Sequence, residues 1–307
     1  MPWRRLKHAA RFMDSFRCRA ITSRWELPMK LAFSTNAFVR RNLRQAIEQI
    51  AAAGYTGVEI LADKPHWYPE KFIPRQAQTI RRLLDRCSLR VSNINANCTF
   101  GYWKDAPPEP FFEPSLISPR PDLRRARAAM IRNTLRLAAA IGAENISITS
   151  GKALPTMPPD KAMRQLAESL APLLELAQKL GVKVGMECEP MLFIEWAVEL
   201  RELMDRLDCR MLGANLDIGH SVVLGENIPE ILEILKGRIW NCHIEDISGR
   251  KHYHLIPGRG TMNWRGLQAA LARINYDRFL TVELYTYPDQ PEKAAAQSLR
   301  FLRKIFV

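Results

Sequence analysis

From residue 30 onward, short apolar runs alternate with long amphipathic segments eight times, and no other feature restricts the fold of this chain as strongly. KLAFST (30–35) precedes a helical pattern near 40–53, GVEIL (57–61) one near 75–87, and LRVSNINAN (89–97) one near 122–141. ENISITS (144–150) precedes 160–180, VKVGME (182–187) precedes 193–206, and MLGANLD (211–217) precedes 227–236. RIWNCHI (238–244) and FLTVELY (279–285) lead into 263–274 and 291–305. The runs are nearly continuous in apolar residues, as parallel strands covered on both faces must be. Gly54, Gly142 and Gly181 each follow a helical pattern, where a left-handed C-terminal residue belongs.

Eight consecutive strand–helix units predict an α/β fold, a single-domain (β/α)8 TIM barrel over residues 30–307, in preference to an open doubly wound sheet. No GxGxxG follows the first run, which argues against a dinucleotide-binding fold. Residues 1–30 carry eight Lys/Arg against Asp14 and Glu26, a net +6 of the chain's +13. Residues 1–29 therefore read as a basic N-terminal extension, dispensable or Arg-rich in the manner of a targeting segment, and expected to be poorly ordered. The ordered pattern begins at MKLAFSTNAF. Six scattered cysteines without a CxxC pair fit a reducing, cytoplasmic setting and argue against finger-type zinc. No apolar run approaches the roughly 18 to 20 residues needed to span a bilayer, so no membrane partner is expected.

In such barrels the site forms at the C-terminal ends of the strands. The second run carries Glu59, the third Asn95 and Asn97, and the fourth Thr149 and Ser150 with Lys152 beyond. The fifth brings Glu187 and Glu189, the sixth Asp217 and His220, the seventh His243, Glu245 and Asp246, and the eighth Glu283. An unpaired buried charge is expensive, so four consecutive runs ending in acids point to a shared cation. Side chains alternate along a strand. Asp217 and Glu283 follow Leu216 and Val282, and His243 faces away from Cys242 and Ile244. Glu187 and Glu189 share one parity, so either could face the axis. Three carboxylates and one imidazole suit a single Mn²⁺ or Mg²⁺ and tolerate Co²⁺ and Zn²⁺.

AAAGYTGVEI, VKVGMECEP, NLDIGH, CHIEDI, HYHLIPGRG and TVELY occur in that order across residues 30–307. In order and spacing they resemble the xylose isomerase-like TIM barrel superfamily, in its sugar phosphate isomerase/epimerase branch. The resemblance implies a metal set of Glu187, Asp217, His243 and Glu283, a substrate-contacting histidine at His220 and an arginine at Arg259. It implies a divalent-metal-dependent isomerase or epimerase of a small sugar or related polyhydroxy carbonyl compound. Glu187 and Glu283 would then be the catalytic pair, moving a proton through a metal-stabilised enediolate. Glu189, Asn97, His254 and Trp103 are further expected substrate contacts, and His252 belongs to the same loop. Nothing Gly-rich accompanies Lys152, so a phosphate on the substrate has no support in the sequence.

Plainer roles stand beside these. Asp217 could be a helix N-cap, His243 a satisfied core histidine, Glu283 an ion-pair partner, and Glu59 a structural or outer acid. Asn95 and Asn97 could be turn formers, and the arginines of 120–136 a solvated face. The same superfamily holds apurinic endonucleases with a three-metal site. His252 and His254 stand where that branch binds an additional metal, and a pI near 9.7 suits DNA. That site also needs histidines near the second and third runs. VSNINAN has none, and His66 stands alone beyond Glu59. A small carbohydrate is therefore the expected partner and nucleic acid is not. A non-catalytic, metabolite-binding barrel is the third reading, and self-association is left open.

Overall fold

The computed structural model describes residues 29–97, 99–105 and 112–307. The expected N-terminal extension lies outside the described residues except for Met29, whose N–H donates to Phe306 O.

Eight parallel strands close into a barrel: β1 (Lys30–Ser34), β2 (Gly57–Leu61), β3 (Arg90–Asn95), β4 (Asn145–Thr149), β5 (Lys183–Glu187), β6 (Leu212–Asp217), β7 (Ile239–Ile244) and, after a hairpin of β8 (Asp246–Ser248) and β9 (Lys251–Leu255), β10 (Phe279–Val282). β1 pairs with β2 on one side and β10 on the other, and β10 pairs with β7. The sheet therefore has no free edge. Around it lie α1 (Leu43–Ala52), α2 (Pro74–Arg86), α3 (Pro121–Ile141), α4 (Pro159–Leu180), α5 (Ala197–Leu207), α6 (Ile218–Leu224), α7 (Ile228–Ile234), α8 (Trp264–Arg273) and α9 (Pro291–Phe306). The α/β barrel expected from the alternation is the fold. Its strand residues are almost all buried, which explains why the runs read as continuously apolar.

Gly142 and Gly181 close α3 and α4 at φ +77° and +68°, conformations that favour glycine. Below the site, the barrel interior is partly polar. Asn145 donates to Asn93 Oδ1 and Asn241 to Asn215 Oδ1, both at 2.8 Å, and Thr281 Oγ1 donates to Asn241 Oδ1 at 2.8 Å. These amides satisfy one another, as buried polar groups must.

Four local features depart from the sequence pattern. The helix expected near 193–206 starts at Ala197, after a turn in which Met191 adopts φ +74°. A separate short helix, α6, precedes the one expected near 227–236, because Asp217 Oδ1 accepts from His220 N at 2.9 Å and caps it. Residues 246–255 form a hairpin where a loop was expected. Arg127, expected on the solvated face, is buried and donates to Ala96 O at 2.6 Å, tying α3 to the end of β3.

After β3, a Pro- and aromatic-rich stretch (residues 100–119) is packed in its described part. Thr99 Oγ1 and Trp103 Nε1 both donate to Glu113 O, and Leu116 and Ile117 are buried. Cys87, Cys188, Cys209 and Cys242 are free thiols. Among the described residues no helix is long and apolar enough to cross a membrane.

Candidate functional site

Glu187 ends β5, Asp217 ends β6, His243 lies near the end of β7, and Glu283 directly follows β10. Parallel register places Asp217 opposite His243, and His243 opposite Thr281, two residues before Glu283. One ligand atom from each of the four falls within 4.8 Å of the others, and all four residues are buried.

The surroundings fix how each group points. His243 Nε2 donates to Glu59 Oε2 at 2.6 Å. Its Nδ1 is thereby turned toward the other three, 3.5 Å from Glu187, 3.6 Å from Glu283 and 3.9 Å from Asp217. Asn97 donates to Glu187 Oε2 at 2.6 Å, and Asn215 donates to the same oxygen. Asn36 and Asn95 both donate to Glu283 Oε1 at 2.9 Å. Asp217 Oδ1 caps α6, while Oδ2 is buried with no hydrogen-bond partner. The N-cap and ligand readings of Asp217 thus occupy different oxygens.

Charge is unbalanced here in a way that suits a cation. Burial first, then the neighbouring Glu187, Glu59 and Asp217, pushes the Glu283 carboxyl well above the usual range. Burial opposes charge on His243, but Glu283, Glu59 and Glu187 overcome it and hold its pKa well above that of an ordinary imidazole. Burial also opposes ionisation of Glu59, yet the charge and hydrogen bond of His243 hold its pKa below normal. An orphaned carboxylate oxygen, crowded carboxylates and an imidazole nitrogen whose proton a divalent ion could replace together fit such an ion. The oxygen-rich donor set fits a hard one best.

Above the quartet opens a cavity of about 470 Å³ whose floor includes Asn95, Asn97, Glu187, Glu189, His220, His254 and Glu283. His220 Nδ1 donates to Cys188 O and His254 Nδ1 to Glu283 O, both at 3.0 Å, which turns His220 Nε2 toward Asp217 Oδ2 at 3.5 Å and His254 Nε2 toward the His252 ring. His254 holds φ +44°, a strained setting for a non-glycine residue. Its Nε2 lies 2.6 Å from His252 Nε2, and a ligand atom from each of His220, His252 and His254 falls within 4.8 Å of the others. Burial foremost, with Glu187 and Asp217, raises Glu189 to about 7, opposed by His220. Burial lowers His254 to about 3.

A model of the xylose isomerase-like TIM barrel family matches residues 47–305. The chain belongs to that family. Among curated relatives, the fructoselysine 3-epimerase of Escherichia coli O157:H7 is 24% identical over 283 residues, covering 90% of this chain and 98% of the relative. The inosose dehydratase of Clostridium perfringens (strain 13 / Type A) is 23% identical over 279 residues, covering 85% and 89%. Of solved structures, a D-tagatose 3-epimerase-like protein superposes with a TM-score of 0.74 at 20% identity, covering 90% of this chain and 98% of that one. An IOLI protein with a binding zinc atom gives 0.72 at 18% identity, covering 91% and 98%. At these identities the structural matches establish the shared fold.

Within this family barrel, not every expected site residue reaches the cavity. Trp103 is held at Glu113 O and does not line it. Arg259 donates to Gln297 at 2.5 Å and lines a separate cavity with Lys293 and Tyr287. His66 Nε2 is engaged by Phe38 O at 3.2 Å and is not among the cavity residues. Three contributors had escaped the sequence reading. Asn215 shares the parity of Asp217 two residues on, a signal that was available. Asn36 lies just beyond the first run, whose polar end was passed over. Tyr285 lines the mouth two residues past Glu283.

Proposed function

We propose that this chain is a divalent-metal-dependent isomerase or epimerase of a small sugar or related polyhydroxy carbonyl compound. The observation that carries the reading is the buried quartet of Glu187, Asp217, His243 and Glu283, with two glutamates from β5 and the end of β10 at one cavity floor. A divalent ion held by these four, Mn²⁺ foremost with Mg²⁺, Co²⁺ or Zn²⁺ as substitutes, supplies Lewis-acid polarisation of the substrate carbonyl. Glu187 and Glu283 serve as the general base and general acid, one taking the proton beside the carbonyl and the other returning it. Return to the opposite face gives epimerisation, and return to the neighbouring carbon gives isomerisation. Asn97 and Asn215 orient Glu187, and Asn36 and Asn95 orient Glu283, so each carboxylate meets the substrate with one oxygen already held. His220, His254, Glu189 and Asn97 contact substrate oxygens from the floor. The names of relatives such as fructoselysine 3-epimerase agree with this chemistry.

The endonuclease reading is weaker. Its extra ligands near β2 and β3 are missing, since β3 carries no histidine and His66 is turned to Phe38. We place the protein in the cytoplasm, a setting that free thiols at Cys87, Cys188, Cys209 and Cys242 suit. The test is solvent deuterium wash-in over a panel of ketoses with Mn²⁺-loaded protein. Incorporation at one carbon is expected. Absence of exchange across the panel, joined with cleavage of abasic DNA, would overturn the reading in favour of the nuclease.

A further inference from the structure

The cavity has two chemistries. Its floor is carboxylate, amide and imidazole, whereas its upper wall is built from Val39, Phe100, Phe112 and Tyr285. Of the polar groups at that wall, Asp63 Oδ1 is occupied by the N–H groups of Lys64 and Gly101, and the Lys64 ammonium lies over the Tyr68 ring at 5.3 Å. Val39, Phe100 and Tyr285 are 39%, 52% and 47% exposed and line one cavity together, and apolar residues gathered at one concave surface mark a binding site. Tyr102, Leu154, Met191 and Tyr253 are also exposed. Seven of the nine exposed large apolar residues among the described residues thus stand on the segments that follow β1, β3, β4, β5, β7 and β10, at the site's end of the barrel.

A free sugar can engage the floor but leaves the apolar wall of such a mouth unused. It carries a hydroxyl on nearly every carbon, its C–H face suits one aromatic ring, and hydroxyls pressed on an apolar wall lose water without a partner. We propose that the substrate is a conjugated sugar: a polyhydroxy carbonyl part on the polar floor, bearing an aryl or alkyl substituent that lies along Val39, Phe100, Phe112 and Tyr285. This rests on the reaction proposed above and adds its substrate class. A second copy of the chain is a poorer occupant. It would bring the same concave mouth, and two concavities meet at their rims, leaving the wall at Phe112 uncovered.

The test is calorimetric titration of the Mn²⁺-loaded full chain with two matched pairs: phenyl against methyl 3-keto-β-D-glucopyranoside, and 1-anilino-1-deoxy-D-fructose against 1-amino-1-deoxy-D-fructose. The aryl member of at least one pair is expected to bind about tenfold more tightly, equivalent to about 1.4 kcal/mol. Phe100→Ala and Tyr285→Ala, both at exposed positions, should bring that ratio below about threefold. Equal binding within both pairs overturns the inference, as does an aryl preference that neither variant changes. A dimer in sedimentation velocity that Tyr253→Asp dissociates would assign the collar to self-association and likewise overturn it. Binding and reaction are read separately. Aryl preference without deuterium exchange would keep this inference and refute the reaction, and exchange into free ketoses without aryl preference would do the reverse.

Discussion

His243 Nε2 and Glu59 Oε2 lie 2.6 Å apart, both fully buried, across strands that do not neighbour each other in the barrel. The contact decides which ring nitrogen is available to the quartet and holds the ring in place. Outer carboxylates of this kind typically contribute 10- to 100-fold to metal affinity. Glu59→Gln keeps an acceptor but loses the charge, and about a tenfold drop in Mn²⁺ affinity is expected. Glu59→Ala removes both, and about a hundredfold drop is expected. Chelator competition measures both, and unchanged affinity in the alanine variant would leave Glu59 without this role.

Glu187→Gln and Glu283→Gln should each lower solvent hydrogen exchange by at least about 10³-fold, within the range attributed to general acid–base groups together with loss of a ligand charge. Circular dichroism should stay native, because both side chains sit at the barrel mouth and not in its apolar layers. Full exchange in either variant would remove that residue from proton transfer.

Stripping metal should destabilise the fold. Glu187, Asp217 and Glu283 crowd one buried point around a single imidazole, and a cation relieves their repulsion. Returning Mn²⁺ at about 100 times its Kd should restore about 2.7 kcal/mol, read as a rise of several degrees in thermal midpoint. In Asp217→Asn the Mn²⁺-dependent rise should shrink, since Asp217 Oδ2 is a buried quartet oxygen with no hydrogen-bond partner.

Stability should also decline in alkali for a reason unrelated to the site. Tyr276 donates to Phe279 O at 2.6 Å and Tyr55 to Ala295 O at 3.0 Å, and burial foremost holds both phenols well above their ordinary value. Above about pH 10 the unfolded chain releases these protons while the fold retains them, so the native state binds more protons and stability falls as pH rises. Each group contributes about 1.4 kcal/mol per pH unit until its folded pKa is reached. Urea midpoints between pH 10.5 and 11.5 should show this slope, and Tyr276→Phe should remove one group's share of it.

The barrel and the quartet were legible in the sequence because both follow from local rules. Apolar runs mark buried strands, and an acid or histidine at the end of a run has little reason to be there without a partner. What stayed hidden depends on contacts between distant segments. Glu59 is separated from His243 by 184 positions, and Arg259 from Gln297 by 38. The hairpin is pinned by Asp246, whose carboxylate accepts from Gly258 N at 2.7 Å, Trp264 Nε1 at 3.0 Å and Met262 N at 3.1 Å, none of which a strand pattern reveals. Helix α6, Ile218–Leu224, has only seven residues, too few for an apolar periodicity to show, so the helix stayed hidden although Asp217 was read as a possible cap.

Asp217 belongs to two elements at once, the last residue of β6 and the cap of α6. Between them there is no connecting segment to lengthen, and an inserted residue would pull the carboxylate off the helix or out of the quartet. This corner of the barrel is closed to evolutionary tinkering. Val39 and Tyr285 line the same cavity without holding a quartet carboxylate. Descendants of such a barrel can therefore change what the mouth accepts by rewriting those positions while inheriting the Asp217 corner intact.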